Sequence, residues 1–435
     1  MNRLLKGGRL VDPANGRDGV FDVLIEDGRI ARVGRDLAGD GATVVGIPAG
    51  FVVCPGLIDM HVHLREPGQE HKETVATGTA AAVAGGFTAV ACMPNTSPVN
   101  DNAGVTAYVL GKAAEANLAR VYPIGAVSRG QAGEQLADIA ELKNAGCVAI
   151  TDDGRPVATA LLMRRALEYA SMFDIPVIEH CEEQSLKGDG VAHEGYQASS
   201  LGLRGIPGEA ESIMALRDIS LSSLTGGAVH IAHMSARQTL EAVRFGKAHG
   251  ARVTCEVTPH HFVLTDEMLG TPVPYDTNTK MNPPLRETAD RDAMLQGLAD
   301  GSIDVIATDH APHHYDEKLV EFDYAPFGIT GLETAVSLCF DRLVHPGVIS
   351  LSRLIELLSM NPARILRVPG GSLTEGSPAD VTILAPDLQV TVSAERMRSK
   401  SKNSPFIGWS LRGGVAATIV GGRIVYVNPD TKISL

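Results

Sequence analysis

The chain has 435 residues, 44% of them hydrophobic and 20% charged, and a formal net charge of -13. This length suits one large domain together with a smaller one, and the composition is that of an ordinary globular protein. The excess of acidic residues argues against nucleic acid or an anionic membrane as a partner, but it leaves a small anionic substrate open.

The six cysteines lie far apart, without a CxxC pair, and several fall within apolar runs. Cysteines placed in this way behave as small hydrophobic side chains of reduced proteins, so we expect no disulfide framework. The N-terminal residues lack the apolar core of a signal peptide, and no stretch has the pattern of a membrane span. We therefore expect a cytoplasmic protein.

Both ends of the chain predict β-structure. Residues 22–34 alternate apolar and polar side chains around Asp27-Gly28, which is a hairpin signal, and residues 417–427 repeat this pattern. Residues 379–384 predict another short strand. Neither end has enough apolar surface to fold alone, so we expect the two termini to form one small β-sandwich domain from residues 1–54 and 370–435.

Between these ends, apolar strand candidates alternate with segments of helical periodicity, such as residues 134–143 and 238–243. The strand candidates are Val52–His63, Thr88–Pro94, Arg120–Ala126, Cys147–Asp153, Ile175–His180, Ala228–His233, Arg252–Thr258 and Asp304–Asp309. Eight such units predict an α/β fold, with a (β/α)8 barrel over residues 55–369. Residues 350–368 predict two further helices.

Two connections are long: the glycine-rich segment 185–208, and segment 310–328, which is rich in His, Pro, Asp and Phe. Loops of this length in a barrel are often substrate lids. For the first of them, a surface insertion without a role is an equally good interpretation.

Candidate metal ligands stand at the ends of several predicted strands. They are His61 and His63 after strand 1, Asp152 and Asp153 after strand 4, His180 after strand 5, His233 after strand 6 and Asp309 after strand 8. The carboxyl ends of parallel barrel strands meet on one face, so these residues are expected to converge. Each histidine alone would be read as structural, but buried polar groups in this number need cations as partners.

The number of candidates suits two divalent ions. His61 and His63 share one side of strand 1, because residues i and i+2 of a strand point the same way. These two histidines and Asp309 are expected to hold the first ion. His180 and His233 are expected to hold the second, with Asp153 bridging. Histidine with carboxylate ligands favours zinc.

Five motifs carry a family resemblance: HVHLREPG at 61–68, MPNT at 93–96, KMNPPLR at 280–286, ATDHAPH at 307–313 and APFGITGLET at 325–334. Together they resemble type I dihydroorotases of the amidohydrolase superfamily, over nearly the whole chain. The first and fourth motifs distinguish the chain from hydantoinases and allantoinases.

The chain departs from the superfamily pattern at one position. Many members bridge their metals with a carbamylated lysine on strand 4, but here that strand has no lysine, and Lys143 lies upstream in the preceding helix. The chain resembles a bacterial subset that uses aspartate instead. Asp152 and Asp153 point to opposite sides of an extended strand, so only one can bridge. Family spacing favours Asp153, although Asp152 stays open.

The resemblance implies reversible cyclisation of N-carbamoyl-L-aspartate to L-dihydroorotate by a metal-activated hydroxide, in pyrimidine biosynthesis. Asp309 would be both a metal ligand and the general acid/base, although pure metal ligation is the alternative. A guanidinium binds a carboxylate through two hydrogen bonds, so Arg65 is the expected substrate anchor. The further expected substrate contacts are Asn95 and His313 at the carboxylate and Asn282, Phe327 and Gly328 at the ring. His63 is expected to contact the substrate as well.

Two alternatives stay open. One is another cyclic amidase, of hydantoinase or allantoinase type, for which a carboxylate anchor is not required. The other is a non-catalytic scaffold for aspartate transcarbamoylase, although scaffolding relatives tend to lose metal ligands that are all present here. We expect the chain to form a homodimer. Aspartate transcarbamoylase is a further expected partner, in a complex of the two enzymes. His260, His261 and His314 receive no role.

Overall fold

The computed structural model describes residues 2–39, 41–431 and 433, so the outermost residues of the predicted small domain lie outside the described part. Its strands are β1 (Arg3–Lys6), β2 (Arg9–Asp12), β3 (Arg17–Val20), β4 (Asp22–Glu26), β5 (Arg29–Gly34), β6 (Thr43–Gly46), β7 (Val52–Pro55), β8 (Leu57–Val62), β9 (Phe87–Cys92), β10 (Arg120–Pro123), β11 (Val177–Glu179), β12 (Ala192–His193), β13 (Gly205–Ile206), β14 (Val229–Ile231), β15 (Val253–Val257), β16 (Val305–Ile306), β17 (Val381–Thr391), β18 (Ser410–Val420) and β19 (Arg423–Val427).

Its α-helices are α1 (Val75–Ala84), α2 (Ala103–Ala116), α3 (Ile139–Ala145), α4 (Ala160–Ser171), α5 (Gln184–Lys187), α6 (Tyr196–Leu201), α7 (Glu209–Thr225), α8 (Arg237–Ala248), α9 (Pro259–Val263), α10 (Thr288–Asp300), α11 (Tyr315–Lys318), α12 (Ala335–Cys339), α13 (Leu351–Ile355) and α14 (Asn361–Leu366). Short 3-10 helices occupy Pro13–Asn15, Arg129–Gln131, Asp266–Leu269 and Thr277–Thr279, and π-helical turns occupy Phe340–Val344 and Glu356–Met360. Within the described ranges, no helix combines the length and apolar character that crossing a membrane requires.

The central strands form a closed parallel barrel. β8, β9 and β10 pair side by side, and so do β11, β14, β15 and β16. Parallel bridges from Ile150 to Gly125 and to Val177 place the fourth strand between β10 and β11, and a bridge from Val62 to His310 joins the eighth strand to the first. The predicted (β/α)8 fold is therefore confirmed, and the carboxyl ends of all eight strands lie on one rim. The fourth strand is shorter than predicted, because only Ile150 makes ladder bridges.

The predicted first strand, Val52–His63, is two strands in different sheets. β7 pairs with β17 and β2 in a terminal sheet, and β8 pairs with β9 in the barrel. Gly56 separates them at a point where a Cβ atom would lie 2.2 Å from the hydroxyl of Thr88. The chain can therefore change sheets here only because this residue has no side chain.

The main hydrophobic core lies between the barrel strands and the surrounding helices. A second cluster, rich in small and flexible side chains, is formed by residues along the barrel strands together with Leu366 of α14. Its other buried members are Met60, Ala91, Met93, Ile124, Val148, Ala149, Ile178, Ala232, Val305 and Ala307. Small side chains in a barrel interior leave space for the larger polar groups that stand at the strand ends.

The helices predicted from hydrophobic periodicity agree only in part with the helices of the structure. The predicted helix 238–243 lies within α8, but the segment 134–143 becomes helical only from Ile139. The carboxylate of Asp138 accepts a hydrogen bond from the amide of Glu141 at 3.0 Å, so Asp138 caps the N-terminus of α3. The cap residue starts the helix later than the hydrophobic pattern predicts.

The two chain termini form one β-sandwich, as expected. One sheet has the order β5-β4-β1-β6, and the other, β19-β18-β17-β7-β2-β3, contains strands from both ends of the chain. The predicted hairpin is β4-β5, whose turn residues Asp27 and Gly28 both have positive φ. The predicted strand 379–384 is longer than expected and continues to Thr391. The sequence boundaries of this domain, 1–54 and 370–435, stay a prediction.

Direct contacts join the sandwich to the barrel. Arg120 of β10 donates a hydrogen bond from Nε to Asp380 Oδ2 at 2.7 Å. Fully buried Phe340 packs against Gly413 of β18 so closely that a Cβ atom at the glycine would lie 2.3 Å from the Phe340 Cβ. The barrel and the sandwich therefore share part of their packing.

The two long connections contain secondary structure. Segment 185–208 includes most of α5, all of α6 and the parallel pair β12-β13, so it is an ordered excursion rather than a simple loop. Segment 310–328 contains α11. Both stand beside the rim that carries the predicted ligands.

Candidate metal centre

The end of β8 places His61 and His63 at the rim of the barrel. Both side chains are almost completely buried. The carboxylate of Asp59 accepts hydrogen bonds from the amides of His61 and Thr308, each at 3.1 Å, and thereby connects the first strand to the eighth. The amide of His63 donates to His310 O at 2.8 Å. These bonds hold the first and last ligand-bearing segments side by side.

His61, His63 and Asp309 form the first cluster of potential ligands. Asp309 Oδ1 lies 3.0 Å from His63 Nε2 and 3.4 Å from His61 Nε2. The other nitrogen of His63, Nδ1, lies 2.9 Å from Asn95 Oδ1. Since Nδ1 donates to this amide oxygen, Nε2 is left free to direct its lone pair toward the carboxylates and any cation between them.

Asp153 lies at the centre of a second cluster, with His61 and His233. Its Oδ1 is 3.4 Å from His61 Nε2 and 3.5 Å from His233 Nε2. His180 adjoins this cluster, with Nδ1 2.9 Å from His233 Nε2 and 3.8 Å from Asp153 Oδ1. All six predicted ligands therefore meet in one place.

The structure separates the two neighbouring aspartates. Asp153 faces the four histidines, with its Oδ2 3.5 Å from His63 Nε2. Asp152 faces the opposite way and accepts hydrogen bonds from the amide and hydroxyl of Ser128. This placement favours Asp153 as the bridging ligand and gives Asp152 a role in holding the loop at Ser128.

The buried carboxylates of the cluster create a negative potential that favours a positive charge between them. Burial opposes ionisation of Asp153, but His61 and His233 more than compensate and hold its pKa well below the usual range. Burial also opposes protonation of His61, yet Asp153, Glu256 and Asp309 together raise its pKa well above the usual value. A divalent cation would meet the same demand without protonating the imidazole ring.

Among the described residues, two buried polar atoms that lie 3.4 Å apart in the cluster have no hydrogen-bond partner: His61 Nε2 and Asp153 Oδ1. Buried polar atoms are nearly always satisfied, so unsatisfied ones concentrated at one point call for a missing partner. Imidazole and carboxylate groups are the ligands that zinc and similar ions prefer. The residues present therefore fit divalent metal ions.

Two carboxylates that the sequence did not single out lie behind the histidines, and one of them is hydrogen-bonded to its histidine. Glu256 of β15 accepts a hydrogen bond from His61 Nδ1 at 2.7 Å, and Glu182 Oε2 lies 3.6 Å from His180 Nε2. Glu182 is in turn 3.1 Å from the ammonium of Lys187. Carboxylates behind metal-binding histidines fix the ring orientation. The available signal for Glu256 was a single charged residue within the apolar run 253–257.

Backbone strain is concentrated in the same place. Arg65, His233 and Asp309 have φ values of 61°, 30° and 47°, in the left-handed region that residues other than glycine seldom adopt. Such conformations cost about 1–3 kcal/mol each and persist where the surrounding structure imposes them. At Arg65 the left-handed conformation means that a turn after β8, and not continued strand alternation, directs the side chain.

A cavity of about 230 Å³ opens above the ligands. All the residues expected to contact substrate line it: His63, Arg65, Asn95, Asn282, His313, Phe327 and Gly328. Lys187, from the 185–208 excursion, lines it as well and was not predicted. The structure thus brings the predicted metal and substrate residues to the same cavity.

Arg65 is the notable cation of this cavity. Its Nε donates to Pro312 O at 3.2 Å, its side chain is buried, and within the described part of the chain it has no carboxylate at ion-pair distance. Burial lowers the pKa of the guanidinium to about 10. A buried guanidinium without an anion is suited to receive one from a ligand.

The histidines that received no role have ordinary structural partners, with one exception. His261 bonds to the hydroxyl of Thr258 and to Pro283 O, and the imidazole of His314 caps α11. His260 is buried, and its Nε2 has no partner among the described residues. A separate group, His193 with Asp266 and Glu287, is unsuited to a metal, because Arg286 donates to His193 Nδ1 and the remaining nitrogen must carry the proton.

Comparisons with known proteins show the family and the fold of the chain. Residues 50–239 match the family model described as dihydro-orotase-like. The dihydroorotase of Syntrophotalea carbinolica is 54% identical over 98% of this chain and 99% of its own length, and that of Geobacter metallireducens is 50% identical over 98% and 100%. L-hydantoinase from Arthrobacter aurescens has a TM-score of 0.87 over 100% of this chain and 97% of its own, at 23% identity, which shows a common fold. D-hydantoinase (dihydropyrimidinase) from Thermus sp. has a TM-score of 0.82 over 97% and 94%, at 24% identity.

Proposed function

Because the chain belongs to the dihydroorotase family and is a hydrolase of cyclic amides, we propose that it interconverts N-carbamoyl-L-aspartate and L-dihydroorotate at two divalent ions. The observation that carries the proposal is the meeting of six potential ligands with a buried guanidinium that, among the described residues, has no carboxylate at ion-pair distance. The reaction belongs to pyrimidine biosynthesis. We place it in the cytoplasm, since all six cysteines are buried free thiols, as in reduced proteins.

In this proposal His61, His63 and Asp309 would hold one ion, His180 and His233 would hold the other, and Asp153 would serve both. Zinc is the metal that best fits these donors. Two such ions, when bound, supply an activated water and polarise the carbonyl of the ring amide. Glu256 keeps the imidazole of His61 in the orientation that ligation needs, because it accepts the hydrogen bond from Nδ1.

The substrate carboxylate binds at the Arg65 side of the cavity. The guanidinium offers planar, paired donors, and Asn95 and His313 lie in the same wall. His313 Nε2 donates to Phe327 O at 2.8 Å, which connects the carboxylate side to the ring side. Asn282, Phe327 and Gly328 then bound the ring. These contacts orient the amide toward the ligand cluster.

Asp309 moves the proton. In ring opening, its carboxylate accepts one proton from the attacking water and delivers it to the departing ring nitrogen, which becomes part of a neutral carbamoyl group. The other product group forms as a carboxylic acid and releases the second proton of the water to solvent, which leaves a carboxylate. Burial opposes the charge of Asp309, but His61 and His63 lower its pKa below the usual value, so the carboxylate is ionised before the reaction begins. Cyclisation uses the same carboxylate in the reverse order.

The first experiment compares substrates. Purified protein loaded with zinc is assayed with L-dihydroorotate and with unsubstituted hydantoin, and the ratio of the two kcat/KM values is measured. We expect strong preference for L-dihydroorotate, because only that substrate offers a carboxylate to Arg65. Preference for hydantoin would overturn the assignment in favour of a hydantoinase-type amidase.

The second experiment counts metal. Elemental analysis of the purified protein is expected to give about two divalent ions per chain, as the ligand set requires. A scaffold for aspartate transcarbamoylase would be complete without metal. Metal-free protein that cannot be reconstituted with zinc would contradict a catalytic role.

The assembly of the chain stays a prediction. A homodimer and a complex with aspartate transcarbamoylase are proposed from the family resemblance. Light scattering of the purified protein, alone and mixed with aspartate transcarbamoylase, tests both: a monomer would contradict the first, and unchanged masses on mixing would contradict the second.

A further inference from the structure

Two lysines outside the ligand cluster are buried without a carboxylate. The exposed fractions of Lys280 and Lys318 are 2% and 7%, and neither has an ion-pair partner within the described ranges. Burial lowers the pKa of Lys280 to about 8 and that of Lys318 to about 7. Burying an ammonium group costs free energy unless hydrogen-bond acceptors replace its lost water. In both lysines these acceptors are main-chain oxygens.

Lys280 is tied to the segment that carries the ring-binding residues. Its Nζ donates to Phe322 O at 2.7 Å and to Asp323 O at 3.0 Å. The same ammonium lies 4.7 Å from the ring centroid of Phe327, within cation–π distance. Its main-chain oxygen accepts the amide of Gly328 at 2.9 Å. One residue thus contacts the segment 322–328 at four points.

Lys318 makes the reciprocal connection. Its Nζ donates to Pro326 O at 2.7 Å and to Thr277 O at 3.1 Å. The Thr277 hydroxyl donates to Lys318 O at 2.7 Å. The turn 277–280 and the segment 318–328 are therefore joined by charge-assisted hydrogen bonds from both sides, which are stronger than bonds between neutral groups.

The segment so held has little freedom at the cavity. Gly328 has a φ of 122°, and a Cβ atom there would lie 2.6 Å from Ala311 Cβ and 3.3 Å from His313 Nε2. Asn403 donates to Ala311 O and Gly328 O, each at 3.1 Å, from the opposite side. A displacement of the segment would therefore shift Phe327 and Gly328 out of the cavity wall.

We propose that Lys280 and Lys318 are positioning residues, which act together as a lysine clasp to hold Phe327 and Gly328 in the substrate-binding wall. The inference deepens the proposed function and rests on it, because it assumes that this wall faces L-dihydroorotate. Neither lysine touches the metal ligands in the described structure, so the clasp acts on substrate binding and not on metal retention.

The test uses Lys280→Met and Lys318→Met in the full chain loaded with zinc. Loss of the ammonium removes two hydrogen bonds to main-chain oxygens in each variant, so we expect KM for L-dihydroorotate to rise at least about 10-fold with a smaller change in kcat. Chymotrypsin should cleave faster at Tyr315 or Tyr324, whose side chains are 70% and 79% exposed. Cleavage is measured without substrate, so it reports on the clasp even if the proposed reaction is wrong.

Lys6→Met is the matched control, because Lys6 is an exposed lysine of β1 that donates to Leu37 O at 3.4 Å. It should behave as the parent protein. If either Met variant fails to fold by circular dichroism, Lys280→Arg and Lys318→Arg, which keep a cationic donor, replace it and are expected to show a smaller rise in KM. Parent-like KM or a parent-like cleavage rate in the folded clasp variants would overturn the proposal.

Discussion

Replacing Arg65 by Met removes the proposed carboxylate anchor. The backbone strain at this position stays the same, because Arg and Met are both residues with a Cβ atom at the same positive φ. Burial lowers the pKa of this guanidinium to about 10, from an ordinary value above 12. At 1.36 kcal/mol per pKa unit, the free protein carries roughly 3 kcal/mol of unfavourable burial that a bound carboxylate offsets. Truncating one partner of a buried charged pair costs about 2–5 kcal/mol. We therefore expect kcat/KM for L-dihydroorotate to fall roughly 30- to 4,000-fold, at 1.4 kcal/mol per tenfold.

The assay pairs L-dihydroorotate with dihydrouracil, the same ring without the carboxylate. Arg65→Met should reduce kcat/KM for the first substrate and leave the slow turnover of the second within about threefold, since no anchor is lost for it. Arg155→Met is the control, because Arg155 is exposed and does not line the cavity. An equal fall for both substrates would indicate structural damage, and an unchanged value for L-dihydroorotate would place the anchor elsewhere.

Four further predictions concern the cluster and the fold. Asp309→Asn should lower kcat by at least about 100-fold, and near-normal turnover would remove its role in proton transfer. Asp153→Asn should reduce bound zinc in elemental analysis while Asp152→Asn retains it; the opposite result would reassign the bridge. Glu256→Gln should weaken zinc binding about 10- to 100-fold in competition with a chelator, and unchanged affinity would contradict its orienting role. Phe340→Ala should lower the free energy of unfolding in urea by about 3–5 kcal/mol, whereas a loss below about 1 kcal/mol would contradict its packing role.

Much of the barrel could be predicted, because buried parallel strands leave continuous apolar runs in the sequence. The division of Val52–His63 into two strands at Gly56 could not be predicted. The residues on both sides of Gly56 are equally buried, so the sequence pattern shows no change of sheet. The fourth strand was overestimated for a related reason: Cys147–Ile150 is apolar, but only Ile150 finds ladder partners. Hydrophobicity predicts burial more readily than it predicts pairing.

The candidate site shows the same division. Strand alternation placed His61 beside His63 and set Asp152 and Asp153 on opposite sides, but only the coordinates show which aspartate faces the histidines. Glu256 acts across 195 residues of sequence from His61, so no local spacing could connect them. Family resemblance, and not periodicity, was the source of the contacts expected at Phe327 and Gly328.

The mixed origin of the larger terminal sheet has a consequence for synthesis on the ribosome. β7 is flanked by β2 and β17, so its second neighbour emerges only after more than three hundred further residues have been made. A chain released early, before β17, would leave the apolar edge Val52–Val53 open to pairing with other chains. Premature termination should therefore yield aggregates and not a working barrel, and quality control has a clear reason to remove such fragments.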